Sequence, residues 1–232
     1  RKGLCMLSKR LKQVADMVKK CNMIADIGTD HGYIPIYLIK NGIVKGAVAA
    51  DISQGSCKKA QLNIGLSHLS DVIDVRCGNG LEVIEKGEKI DTIIIAGMGG
   101  LMAISVLESN RDAAQGAEQL VLQPQRDIDK VRRYLHSIGY KITDEKMLVD
   151  GDKFYTVINA EKGSEEYSEL EYLFGKKLIE SRSPVLNEYV EIEDNKILKV
   201  LENMENKGMK GSEAYEKMYK LHCKYMEVKK CL

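Results

Sequence analysis

The stretch that decides the fold is Ala25-Asp26-Ile27-Gly28-Thr29-Asp30-His31-Gly32, preceded by Met23-Ile24 and followed by Tyr33-Ile34-Pro35-Ile36-Tyr37-Leu38. It reads as a buried strand that ends in a glycine turn and opens a helix. Turns of this kind often receive a phosphate on their backbone N–H groups. This one carries Asp26 and Asp30, whose fixed negative charge disfavours a phosphate. A nucleoside with a cationic tail suits the two acids better.

Outward from this turn, strand-like segments recur over residues 22–27, 46–50, 72–76, 90–96 and 120–122. Helical spacing fills 33–41, 53–68, 100–109 and 127–138, and an amphipathic helix with Ser8 as its cap is expected over 8–20. Such alternation predicts a parallel sheet with helices on both faces. Segments 141–149 and 154–160 are joined by Asp150-Gly151-Asp152, too short for a crossover helix, so they form an antiparallel hairpin. The expected fold is α/β: a Rossmann-like, seven-stranded mixed sheet of the class I methyltransferase arrangement. A dehydrogenase sheet, by contrast, is parallel throughout.

After Gly163 the pattern changes. Leu170, Leu173, Phe174 and Leu178, then Leu186, Tyr189, Val190, Ile197, Val200, Leu201 and Met204, recur at three- and four-residue spacings among Glu and Lys. Ser183-Pro184 restarts a helix, and Gly208 and Gly211 mark the turn to a last helix containing Tyr215, Met218, Leu221 and Val228. The expected division is a cofactor-binding domain over 1–162 and a coiled-coil-like helical hairpin over 163–232. From Ser164 onward 12 Lys/Arg face 14 Asp/Glu, so the hairpin is no strongly basic clamp.

The 232 residues are 44% apolar and 30% charged, as in a globular protein, and no apolar run approaches a membrane span. Cys5, Cys21, Cys57, Cys77, Cys223 and Cys231 form no Cys-x-x-Cys pair and no metal-like spacing with the four histidines. Reduced thiols, a cytoplasmic location and no metal are expected. Net charge is +1, but Arg1, Lys2, Lys9, Arg10, Lys12, Lys19 and Lys20 stand against Asp16 alone in residues 1–20. This basic arm is either a solvated face or a contact for a polyanion.

Asp51 closes the second strand, 23 residues after Gly28, where a carboxylate can grip both ribose hydroxyls. NAD and S-adenosylmethionine share that ribose, but Gly28-Thr29-Asp30-His31-Gly32 lacks the Gly-x-Gly-x-x-Gly that a pyrophosphate requires. The residues therefore favour S-adenosylmethionine. Cys77-Gly78-Asn79-Gly80 follows the third strand and is either an adenine-edge loop or a plain Asn-Gly turn. Ala96-Gly97-Met98-Gly99-Gly100 ends the fourth strand, and its glycines would let an acceptor approach the backbone. No Asp/Asn-Pro-Pro-Tyr motif stands there to activate an exocyclic amine, which is compatible with a ring nitrogen as acceptor.

Together, Leu7-Ser8-Lys9-Arg10-Leu11, Asp26 to Pro35, Ala50-Asp51-Ile52, Gly78-Asn79-Gly80-Leu81, Ile95 to Gly100 and Leu122-Gln123-Pro124 resemble the bacterial tRNA (adenine-N1)-methyltransferases that modify adenine 22. Gln125 departs from the Asn expected after Gln-Pro. The resemblance implies an S-adenosylmethionine-dependent tRNA methyltransferase with a helical coiled-coil appendage. Asp26, Gly28, His31, Gly32, Asp51, Ile52, Gly78, Asn79, Gly80, Ala96, Gly97, Met98 and Gly99 would bind cofactor, with Asp30 as the catalytic candidate. Arg10 would meet the tRNA backbone, and Tyr33 would stack on the target base.

Simpler readings stand beside these. Asp30 could cap a helix opening at His31, His31 could be a hydrogen-bonded structural residue, and Tyr33 could be core. A methyltransferase of proteins or small molecules and a non-catalytic RNA-binding module are the alternative functions. A monomer is expected.

Overall fold

The computed structural model describes residues 7–232, so Arg1, Lys2 and Cys5 of the basic arm lie outside it. Two compact units divide the chain, Arg1–Glu166 and Tyr167–Leu232. The first runs past Gly163 because Glu165 remains tied to its body, accepting from the Ile142 N–H and lying 3.3 Å from His136 Nε2.

In the first unit, α1 (Lys9–Asp16) precedes β1 (Met23–Ile27), α2 (Tyr33–Lys40), β2 (Gly46–Asp51), α3 (Gln54–Leu66) and β3 (Ile73–Cys77). A single 3-10 turn (Gly80–Val83), β4 (Thr92–Met98), α4 (Gly100–Ser109) and α5 (Arg111–Gly116) follow. The unit closes with β5 (Gln119–Pro124), α6 (Ile128–Ser137), β6 (Tyr140–Asp150) and β7 (Lys153–Lys162). The seven strands lie in the order β3-β2-β1-β4-β5-β7-β6. β1 to β5 pair in parallel, whereas β7 runs antiparallel to both β5 and β6. The expected mixed sheet with its reversed hairpin is therefore present.

Strand order reverses between β1 and β4, which opens a crevice at their carboxyl ends. The apolar runs Ile24-Ala25 and Ile93-Ile94-Ile95 are almost wholly buried, as strands covered on both faces must be. Val14, Ala15, Met17 and Val18 pack with Ile24, Val121 and Val157 in one core.

The first helix is shorter than its periodicity suggests. Buried Gln119 takes the Met17 carbonyl at 2.7 Å and the Lys19 N–H at 3.0 Å, using backbone groups that a longer helix would need. Ser8 caps α1 as expected, accepting from the Leu11 N–H at 3.2 Å.

The second unit is helical: α7 (Glu169–Phe174), α8 (Lys176–Glu180), α9 (Pro184–Asn206) and α10 (Glu213–Lys229). Gly175, at φ 95°, separates the first two. Ser183 caps α9 ahead of Pro184, accepting from Leu186 N–H, so the predicted restart is observed. The buried seam of α9 runs Leu186, Val190, Asp194, Ile197, Leu201. Val200, which the spacing placed in that seam, is exposed. Asp194 takes a seam position because His222 Nδ1 meets its Oδ1 at 2.6 Å. Among the described residues, no helix is long and apolar enough to cross a membrane.

Candidate active site

The crevice between β1 and β4 deepens into a cleft of about 260 Å³. The glycine turn after β1 forms one wall, Ala96 and Gly97 of β4 another, and Arg10 and Leu11 of α1 a third. Residues remote in sequence thus converge where the topology reverses.

Asp26 lies inside this wall at 4% exposure, its carboxylate accepting from the Thr29 hydroxyl at 2.6 Å. Burial, with a smaller contribution from nearby Asp51, raises its carboxyl to about 6 against the pull of that hydrogen bond. The turn is held by the Gly28 and Thr29 N–H groups, both donating to Ala50 of β2. Gly28 has φ 80°, and a Cβ there would lie 2.7 Å from Met98 Cε. Only glycine meets both demands without adjustment.

Asp30 sits in the left-handed region at φ 45°, a conformation costly for most residues but accessible to Asp. Its carboxylate is largely exposed, accepts from the Ser56 hydroxyl at 3.2 Å and lies 3.3 Å from His31 Nε2. It does not cap the next helix: α2 begins at Tyr33 behind Gly32, without a side-chain cap. The capping alternative is thereby excluded, and Asp30 belongs to the cleft wall. His31 and Tyr33 stack with ring centroids 5.0 Å apart and planes within 7°.

Asp51 ends β2 beside the cleft. Its Oδ1 accepts from the Ser53 N–H at 2.8 Å and its Oδ2 from the Asp30 N–H at 3.4 Å, which links the two acidic positions. Ile52, next to it, is 72% exposed, an unusual state for a large aliphatic side chain. Gly78 donates its N–H to the Asp51 carbonyl, which draws the loop after β3 to the same edge.

Other predicted residues occupy different surroundings. Asn79 gives its amide to Glu82 at 3.0 Å. A Cβ on Gly78 would strike Val83 Cγ1, and one on Gly80 would strike Ser109 Oγ, each at 2.7 Å. Their lack of side chain serves the packing of the 3-10 turn and α4. Gly99 faces Arg126, and Gly100 faces the Arg126 and Asp127 carbonyls, so of the three glycines Gly97 alone lines the cleft.

Arg10, expected to meet the tRNA backbone, turns its guanidinium into the cleft. Nη1 donates to Gln123 Oε1 at 2.7 Å, and the Tyr155 ring lies 5.5 Å away. The Arg10 N–H is held by Asp150 Oδ2 at 3.1 Å. Gln123, Asp150 and Tyr155 carried no motif of their own. Gln123 stood only in Leu122-Gln123-Pro124 and Asp150 only in the hairpin turn, neither of which points to Arg10.

A parallel sheet with this reversed hairpin and a cleft carrying Asp26 and Asp30 at the switch point are the features of a methyltransferase domain. The family model described as "Methyltransferase domain" matches residues 7–158. The tRNA (adenine(22)-N(1))-methyltransferase of Bacillus subtilis is 41% identical over 160 residues, 69% of this chain and 67% of that protein. The chain belongs to the tRNA (adenine(22)-N(1))-methyltransferase family. The crystal structure of the B. subtilis M1A22 tRNA methyltransferase TrmK superposes with a TM-score of 0.87 at 32% identity, covering 97% of this chain and 99% of that one. The Mycoplasma capricolum TrmK structure with S-adenosyl-homocysteine gives 0.89 at 29% identity, with the same coverage.

Proposed function

We propose that this protein transfers a methyl group from S-adenosylmethionine to N1 of adenine 22 in tRNA. The observation that carries this reading is the buried Asp26 carboxylate, raised to about 6, in the same cleft as the exposed Asp30. A carboxylate so desolvated gains from a cationic ligand. The M. capricolum relative holds S-adenosyl-homocysteine, the demethylated product of such a cofactor.

The residues present fit this cofactor. Asp26 offers negative charge to its cationic portion, and Asp51 offers two oxygens to a ribose. Exposed Ile52 offers an apolar surface to a base. Bound there, the cofactor supplies an electrophilic methyl on a sulfonium.

Adenine N1 carries an in-plane lone pair and needs no deprotonation before attack. As its bond to the methyl forms and the sulfur–methyl bond breaks, positive charge passes to the adenine. Asp30 is suited to accept from the adenine N6 amine and stabilise that charge. N1 lies on the Watson–Crick edge, so the base must be unpaired or extruded. The His31–Tyr33 stack offers a ring face for it.

The helical unit supports the tRNA by shape, in keeping with its balanced charge. A monomer suffices, since one chain provides every wall of the cleft. A tRNA substrate places the protein in the cytoplasm.

Incubation of unmodified tRNA with methyl-labelled cofactor tests the proposal, with the label expected at adenine 22. Label on protein alone, or tight NAD binding without S-adenosylmethionine binding, overturns it.

A further inference from the structure

The way Arg10 is held has a chemical consequence. Its Nη1 is fixed by the amide oxygen of Gln123, a neutral acceptor, and the face of Tyr155 lies 5.5 Å from the guanidinium carbon. Among the described residues, no carboxylate lies within ion-pairing distance of the guanidinium. The cation is therefore oriented without being neutralised. That is costly beside a site suited to a cationic cofactor, unless an anion completes it.

The supports are as fixed as the cation. Gln123 is 0% exposed, and its Nε2 donates to the Pro124 carbonyl at 3.2 Å, so its oxygen is the atom left to face Arg10. Asp150 accepts the Arg10 N–H in the first turn of α1, satisfying a helix-terminal donor and complementing the helix dipole. Ser8 holds the next N–H. Gly97, at φ 83°, leaves room for the guanidinium: a Cβ there would lie 3.3 Å from Nη1.

We propose that Arg10 is a preorganised oxyanion anchor in the cleft, and that Gln123 and Asp150 are positioning residues acting through it. The inference rests on the methyl-transfer reading above. Its ligand is an anionic oxygen pair, either the α-carboxylate of the cofactor or a phosphate of the target nucleotide. A guanidinium with free N–H groups can take either in a forked arrangement.

The test measures binding of S-adenosylmethionine and of its decarboxylated analogue, and KM and kcat for tRNA, in the full-length protein. Gln123→Leu releases Nη1. If the anchor takes the carboxylate, affinity for S-adenosylmethionine falls about tenfold while the decarboxylated analogue binds unchanged. If it takes a phosphate, KM for tRNA rises by about the same factor with cofactor affinity unchanged. Gln123→Glu separates anchoring from packing: the near-isosteric carboxylate holds Arg10 but cancels its charge, so the same affinity falls at least as far.

Asp150→Ala repeats the loss, and Asp150→Asn, which keeps an acceptor, restores most of it. Wild-type affinities in both Gln123 variants overturn the proposal. Equal losses for both cofactor forms accompanied by a lowered Tm also overturn it. Should the Gln123 variants fail to fold, the Asp150 pair decides, and equal behaviour of Ala and Asn at that position overturns the positioning role. Wild-type protein that leaves tRNA unmethylated defeats the methyl-transfer reading instead, while the cofactor comparison still reports on the anchor.

Discussion

The Thr29 hydroxyl donates to the Asp26 carboxylate across 2.6 Å in the interior of the first unit. Burial outweighs this bond and leaves the carboxyl at about 6, above its ordinary 3.8. A carboxyl raised on folding binds its proton more tightly in the native state. Its contribution therefore favours folding least above about pH 6, and stability from this group is gained as pH falls from about 6 toward 3.8. Asp26→Asn should remove this dependence and raise stability at pH 7.5 by about 1–3 kcal/mol in denaturant titration. The same change should weaken cofactor binding, measured by calorimetry. In the wild type, cofactor affinity should fall as pH drops below about 6, because a protonated Asp26 no longer complements a cation.

Asp51 and Asp30 should separate kinetically. Asp51→Ala should reduce cofactor affinity at least tenfold, the order expected for a lost charge-assisted hydrogen bond. Asp30→Ala should leave cofactor affinity near wild type and mainly lower kcat in single-turnover methylation of tRNA. Unchanged kcat in the Asp30 variant would limit that residue to shaping the turn.

Gly28→Ala should destabilise the protein by about 1–2 kcal/mol and impair cofactor binding, because φ 80° and the 2.7 Å approach to Met98 act together. Gly42→Ala makes a useful comparison. Its φ is 65°, but nothing lies within 4 Å of its added Cβ, so it should show backbone strain without loss of cofactor affinity. Thermal melts and calorimetry of the two variants measure the difference.

Ending the chain after Glu166, where the first compact unit closes, should preserve cofactor binding. KM for tRNA should rise substantially if the helical unit supports the folded substrate. Full methylation efficiency in the shortened protein would show that the first unit suffices.

The glycine turn, the terminal position of Asp51 and the reversed hairpin were legible because local rules govern them: strand period, positive φ and a connection too short for a crossover. The end of α1 was not. Its apolar spacing continues through Val18, which is indeed buried, but Gln119 claims the backbone there. Gly80 was read in an adenine-edge loop or a plain turn and Gly99 as room for an acceptor, and Ser109 and Arg126 face them. A glycine signals close approach without naming what approaches. The inward turn of Arg10 was equally hidden, since its partners stand 113 and 140 positions away and neither the Leu122-Gln123-Pro124 motif nor the Asp150 turn ties them to Arg10.

The bond between the Arg10 N–H and Asp150 also bears on the order in which the protein is made. The helix bearing Arg10 leaves the ribosome well before the hairpin, yet its restraint is added only when the hairpin emerges. A nascent chain can therefore complete the glycine turn and the first strands well before Arg10 is secured. Competence for transfer should arise only once the hairpin has closed over the first helix.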